Sequence, residues 1–290
     1  MKKKNIALAG LAACAAPLGW AEIVLTDDLG LYGYIDMNAV EEDMPGDSFD
    51  FAVSEIELGF NYTTGEISAV SEFSYDGTDV SFETVTITYA ASDELSFTAG
   101  NILSYLGWEA YDAPNLYQNT YAYRDFSPGY PAYATGASMD YVTDAFSFGV
   151  WVGESGGDAS VEIAGKYTGV EGLTLFLGYA NDPGYETINT WASYETGAFT
   201  FAAEYFFWDD EGGVDREGYL AMVNYAVDKF SMTVRYSIED TDGMAEDWEL
   251  LTFSPGYAFS DNLFGLLEYS AILDGSPSDY RIAAELIFSF

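Results

Sequence analysis

The sequence predicts an all-β protein, a closed antiparallel transmembrane β-barrel of about 16 strands with one long constriction-type loop. Three observations predict it. Tyrosines 62, 89, 141, 167, 194, 225 and 257 each stand one to three residues ahead of a tight polar turn, such as Thr63-Thr64-Gly65 or Ser260-Asp261-Asn262. Between the turns, short segments alternate apolar and polar residues, and the chain ends on Phe290. An aromatic beside every second turn suits a membrane–water interface, where the ring lies in lipid and the hydroxyl stays wet.

The first element is a processing segment. Lys2, Lys3 and Lys4 form a basic region, Ile6 to Leu18 an apolar one, and Gly19-Trp20-Ala21 a small-x-small cleavage site. Residues 1–21 therefore read as a signal peptide and 22–290 as the barrel, with cleavage near Ala21. Leu11-Ala12-Ala13-Cys14 also fits a lipid-attachment box, although the apolar stretch continues past Cys14 to the later site. Cleavage at Ala21 removes the single cysteine and leaves no disulfide or thiolate chemistry. After Ala21 no run approaches the ~18 consecutive apolar residues of a spanning helix. Yet 49% of the chain is hydrophobic and 17% aromatic, in short alternating pieces.

Period-two alternation between turn signals places the strands at 29–39, 49–62, 65–75, 80–90, 94–102, 136–142, 145–153 and 159–168, then 172–180, 186–195, 198–208, 217–227, 230–239, 247–259, 262–272 and 279–290. Short turns join them at one end, and longer acidic segments, such as Asp209 to Glu217, at the other. That asymmetry is the pattern of outer-membrane barrels, which have both termini in the periplasm. Phe230, Met232, Val234, Tyr236 and Ile238 share one face, opposed by Ser231, Thr233, Arg235, Ser237 and Glu239. In a barrel the apolar face meets lipid and the polar face the lumen. A soluble sandwich would turn the same stripe onto a dry core, but the leader, the tyrosines and the terminal Phe favour the barrel. On the last strand Tyr280, Phe288 and Phe290 form an aromatic-terminated stripe similar to the signal read by the outer-membrane assembly machinery.

Leu103 to Thr135 make a 33-residue connection rich in Tyr and stiffened by Pro114, Pro128 and Pro131. Long aromatic loops usually carry function. This one is expected to fold into the lumen and narrow it, the alternative being a flap over the mouth. The stretch from Gly100 through Leu106-Gly107-Trp108-Glu109 to Asp112-Ala113-Pro114-Asn115 resembles a segment of the OmpL-like outer-membrane porin family. Leu29-Gly30-Leu31-Tyr32-Gly33-Tyr34-Ile35-Asp36 resembles that group's first strand. The resemblance covers about a third of the chain. It implies passive diffusion of small hydrophilic solutes across the outer membrane of a Gram-negative bacterium, by a monomer or a homotrimer.

Strand parity turns Glu55, Glu57, Glu66, Glu72, Glu83, Glu162, Glu195, Glu204, Glu239, Glu268 and Glu285 inward, against Lys166, Arg235 and Arg281. Carboxylate rings favour cations, so small solutes and cations are the expected cargo. A general acidic bias with no transport meaning is the competing explanation. The pore-lining candidates are Glu55, Glu57, Glu72, Glu83, Glu204, Arg235 and Glu239, with Trp108, Glu109, Asp112, Arg124 and Asp125 from the loop. Arg124, the only basic residue between Lys4 and Lys166, either pairs with a carboxylate such as Asp112 or Asp125 or faces the acidic wall across the constriction.

Loss of the leader lysines leaves six of the nine basic residues against 48 acidic ones, a net charge of −42 that excludes nucleic acid. Lipid and lipopolysaccharide are the expected surroundings. With no histidine, His-based catalysis and His-ligated metals are excluded. Asp240-Thr241-Asp242-Gly243 misses a calcium-loop pattern because Ile238 stands at the first ligand position. No catalytic, metal or cofactor site is assigned. A plugged structural or adhesive barrel and a carboxylate-based hydrolase are the competing functions, the first opposed by a strand number that usually leaves an aqueous channel.

Overall fold

A computed structural model describes residues 22–43, 48–109, 111–123, 133–155, 157–243, 247–273 and 279–290. The expected leader, and the loop residues Arg124 and Asp125, lie outside the described residues.

The first half of the barrel is built from β1 (Ile23–Val24), β2 (Leu29–Asp43), β3 (Ser48–Thr64), β4 (Ile67–Tyr75), β5 (Val80–Ala90), β6 (Leu95–Leu103), β7 (Tyr133–Val142), β8 (Phe146–Ser155) and β9 (Asp158–Val170). The second comprises β10 (Leu173–Asp182), β11 (Tyr185–Thr196), β12 (Phe199–Asp210), β13 (Arg216–Val227), β14 (Phe230–Thr241), β15 (Trp248–Ser260), β16 (Leu263–Ile272) and β17 (Tyr280–Ser289). From β2 to β17 each strand pairs antiparallel with the next, and β17 pairs with β2, so sixteen long strands close into a barrel without an edge. Phe290 takes part in the closure, exchanging backbone hydrogen bonds of 2.8 and 2.9 Å with Gly33. A Cβ at Gly33 would stand 2.2 Å from the Glu57 carbonyl oxygen, so glycine is required there. The short β1, unforeseen in the sequence, pairs Ile23 with Leu31 and Val24 with Gly30, on the part of β2 that β17 does not reach.

Every expected long strand forms, but most run further. The ladder of β6 with β7 extends through Ile102–Ala134 to Leu103–Tyr133, which shortens the long loop to 104–132. Longer joins are not the rule at that end of the barrel. Two residues separate Ser155 of β8 from Asp158 of β9, and residues 183–184 are a turn as short as those opposite. The reason is backbone pairing: Asn181–Glu186 and Asp182–Tyr185 continue the β10–β11 ladder with polar residues beyond the apolar band. Polar side chains end the lipid-facing pattern without ending the hydrogen bonding.

The wall is inverted relative to a soluble protein. Leu177, Phe201, Phe253, Leu267, Ile282 and Phe288 point outward and are exposed, while Thr233, Ser237, Thr252, Ser254 and Ser270 are buried. Such a continuous apolar exterior is a surface for acyl chains. Six of the seven turn-side tyrosines are exposed on it; Tyr167 is half-buried, its ring 4.9 Å from Phe146. A second aromatic belt marks the other end, where Tyr205 meets Tyr219 at 5.1 Å and Tyr269 meets Tyr280 at 6.1 Å.

Candidate lumen constriction

Residues 104–109 and 111–123 fold into the barrel and cross it. Tyr105 starts the path: its backbone N–H donates to Glu162 on β9 (2.9 Å) and its hydroxyl to Asp140 on β7 (2.8 Å). Gly107, at φ 108°, turns the chain in a conformation other residues resist. Its N–H reaches Asn189 on β11 (3.1 Å), and that of Trp108 reaches Glu204 on β12 (2.6 Å). The Trp108 ring meets Trp191 edge-on at 5.3 Å, and Trp191 stacks on Phe176 at 5.1 Å.

The next tether is ionic. Arg235 on β14 is fully buried and pairs with Glu109. Its guanidinium also donates to the Thr120 carbonyl (2.6 Å), the Thr120 hydroxyl (2.9 Å) and the Tyr121 carbonyl (3.1 Å). Glu109 accepts further bonds from Gln118 (2.7 Å) and the Ala122 N–H (2.7 Å). Burial pushes the Glu109 carboxyl above its ordinary range, and the Arg235 charge opposes that rise. On the far wall Glu268 accepts the N–H groups of Asn119 (2.7 Å) and Thr120 (3.0 Å), and Glu285 accepts the Asn119 amide (2.8 Å).

The lumen is thus divided. Along β8 to β13 the inward side chains include Trp151, Phe176, Trp191, Phe206, Leu220 and Met222, which bury Tyr105, Leu106, Trp108 and Tyr123 of the loop. This part is a packed core, so the expectation of a uniformly polar inner face is corrected. The loop supplies an apolar surface that makes inward aromatics stable. Between the loop and the wall of β2, β3 and β15 to β17 the lumen keeps open space. There a cavity of 530 Å³ is lined by Asp36, Asn38, Glu55, Arg281 and Glu285, with Tyr121 from the loop.

The candidates named from sequence fall into two groups. Trp108, Glu109, Glu204 and Arg235 meet at the packed side of the loop. Asp112 instead faces Glu55, Glu72 and Glu83 on β3 to β5, and Glu57 adjoins the same group. Burial, then the charges of Glu72, Glu83 and Glu55, push the Asp112 carboxyl well above its ordinary range. Glu239 joins neither group in the bonds above and pairs with Arg216 at 3.6 Å. Arg281 bonds Glu42 (3.0 Å) and Glu268 (3.5 Å). Glu66 and Glu195, assigned inward by parity, are exposed at the short turns. Asn189, Asp36 and Asp140 were missed; inward parity along Tyr34-Ile35-Asp36 and Thr187-Ile188-Asn189 was the available signal.

No family model and no curated protein matches the chain. Solved structures do. The Salmonella typhi OmpF complex with daunomycin superposes with a TM-score of 0.76 at 14% identity, over 93% of this chain and 100% of that one. OmpTΔL8, a loop-deletion mutant of a Vibrio cholerae outer membrane protein, gives 0.71 at 15% identity, over 90% and 99%. An anion-selective porin from Comamonas acidovorans gives 0.66 at 13% identity, over 90% and 99%. This chain shares the closed-barrel fold of Gram-negative outer-membrane porins.

Proposed function

We propose that this protein is an outer-membrane porin that passes small hydrophilic solutes by passive diffusion, without catalysis and with a preference for cations. The observation that carries the reading is the cavity of 530 Å³ between the inward loop and one wall, into which Asp36, Glu42, Glu55 and Glu285 bring four carboxylates against the single Arg281. A barrel of sixteen strands is wide enough to keep water beside an inserted loop. Carboxylates with few cationic partners give that space a negative potential, which concentrates cations and repels anions. The similarity of Gly100–Asn115 to the OmpL-like family supports the same reading and narrows it to that group. Removal of residues 1–21, recognition of the Phe290 stripe by the assembly machinery and a homotrimeric state complete the proposal. One solved structure of the Vibrio cholerae protein is described as a trimer form.

A plugged structural barrel is the second reading, favoured by the packed core that the loop forms along β8 to β13. Reconstitution in planar bilayers with asymmetric KCl separates the two. A reversal potential on the cation side supports the porin. Absence of conductance from folded protein selects the plug, and a potential on the anion side removes the cation preference.

A further inference from the structure

We propose that Glu55, Glu57 and Glu83 on the barrel wall bind a divalent cation of the calcium class, whose charge also holds Asp112 of the inward loop toward β3–β5. One carboxylate oxygen from each of the three glutamates lies within 4.8 Å of the other two. Oxygens sharing one Ca²⁺ at about 2.4 Å can be no further apart than about 4.8 Å, whereas the shorter bonds of Mg²⁺ demand a tighter set. All three ligands are hard oxygens from carboxylates, the donor type that Ca²⁺ takes.

Two unsatisfied atoms point to a missing partner. Glu83 is only 7% exposed, yet its Oε2 is buried with no hydrogen-bond partner among the described residues. Asp112 Oδ1, brought from a different element, is in the same condition. Buried polar atoms are rarely left so without an ion, water or functional reason. The hydrogen bonds that the neighbouring carboxylates accept come from neutral hydroxyls: Ser74 to Glu55 at 2.9 Å and Tyr32 to Glu72 at 2.5 Å. Strands β2 to β8 contain no lysine or arginine. The other side of the same loop is held by Arg235, a covalently built cation. A bound divalent ion is its counterpart here: it neutralises like charges that a short distance would otherwise drive apart.

The test uses full-length protein purified in detergent, freed of metal with EGTA and held in 150 mM KCl to suppress diffuse surface binding. Tb³⁺ serves as a luminescent Ca²⁺ surrogate, excited through tyrosine, with Ca²⁺ as competitor. The expected result is one saturable emission component that Ca²⁺ displaces and that Mg²⁺ displaces at least ten-fold less well. It should vanish in the Glu57→Gln/Glu83→Gln double variant, weaken ten-fold or more in Asp112→Asn, and persist in Glu239→Gln. Heat-modifiable gel mobility verifies folding; should the double variant not fold, Asp112→Asn alone decides the case. Absence of saturable emission overturns the proposal, as does equal displacement by Mg²⁺ or unchanged emission in Asp112→Asn. Binding here is independent of transport, so a barrel without conductance can still pass this test.

Discussion

The two sides of the inward loop use opposite solutions to the same problem. Toward β14 the loop's Glu109 meets a buried arginine that also caps two loop carbonyls. Toward β3–β5 its Asp112 faces Glu55, Glu72 and Glu83, with no ion pair to a cation among the described residues. The first side is closed by charge complementarity and aromatic packing, and the second stays under like-charge stress. The difference teaches that a wall carboxylate cannot be valued from its inward direction alone. Glu204 and Glu268 spend their oxygens on loop N–H groups and are structural anchors. Glu57 and Glu83, in the same alternation, accept no loop N–H group among the described residues and stand among further carboxylates.

The largest expected effect comes from breaking the satisfied side. Arg235→Met leaves Glu109 as a buried, unpaired charge and is expected to cost about 3–5 kcal/mol. Chemical unfolding should show the loss, with a rise in single-channel conductance as the loop loosens. Adding Glu109→Gln should recover most of it; a double variant no better than the single one would refute the pairing. Trp108→Ala, which empties the space against Trp191, is expected to cost about 3 kcal/mol by the same measurement.

A smaller pair of changes sharpens the contrast, because one chemistry should act with opposite signs. Glu204→Gln turns an amide toward the N–H of Trp108 and the amide of Asn189, and should destabilise by about 1–3 kcal/mol. Glu57→Gln in metal-free buffer removes a buried carboxyl crowded by Asp112, Glu72 and Glu83 and should stabilise. Equal signs for the two variants would erase the distinction between the sides.

The smallest effect lies in the β4–β5 turn, where a carboxylate is satisfied by backbone rather than by a cation. Asp76 accepts the N–H groups of Thr78 and Asp79, each at 2.9 Å, and these bonds hold its carboxyl below the usual carboxylate range. Its contribution is therefore present above the ordinary aspartate pKa and lost as pH falls through the lowered one. Hydrogen exchange at Thr78 and Asp79 should accelerate on that descent, and at neutral pH in Asp76→Ala.

Much of the barrel was readable from local pattern. Phe230-Ser231-Met232-Thr233 states by alternation which side meets lipid, because the period of a strand leaves each side chain only two directions. The turn tyrosines and Phe290 added the position of the interface. Less could be read where pattern is not local. The inward aromatics Phe176, Trp191 and Phe206 look misplaced in a polar lumen until Leu106, Trp108 and Tyr123 arrive to cover them. Strand ends were read short because polar residues such as Asn181 and Asp182 carry no burial signal while their backbones still pair.

Element type, the sixteen-strand antiparallel layout and the inward direction of most wall carboxylates, though not of Glu66 and Glu195 at the turns, were legible in the sequence, since each follows from residues within one strand or turn. Only the tertiary structure decided which carboxylates meet N–H groups, which meet Arg235 and which meet one another. The longest of those encounters join residues more than a hundred positions apart, such as Glu109 and Arg235 or Asn119 and Glu268. They depend on the path of one loop across a closed wall, and no short-range periodicity encodes that path.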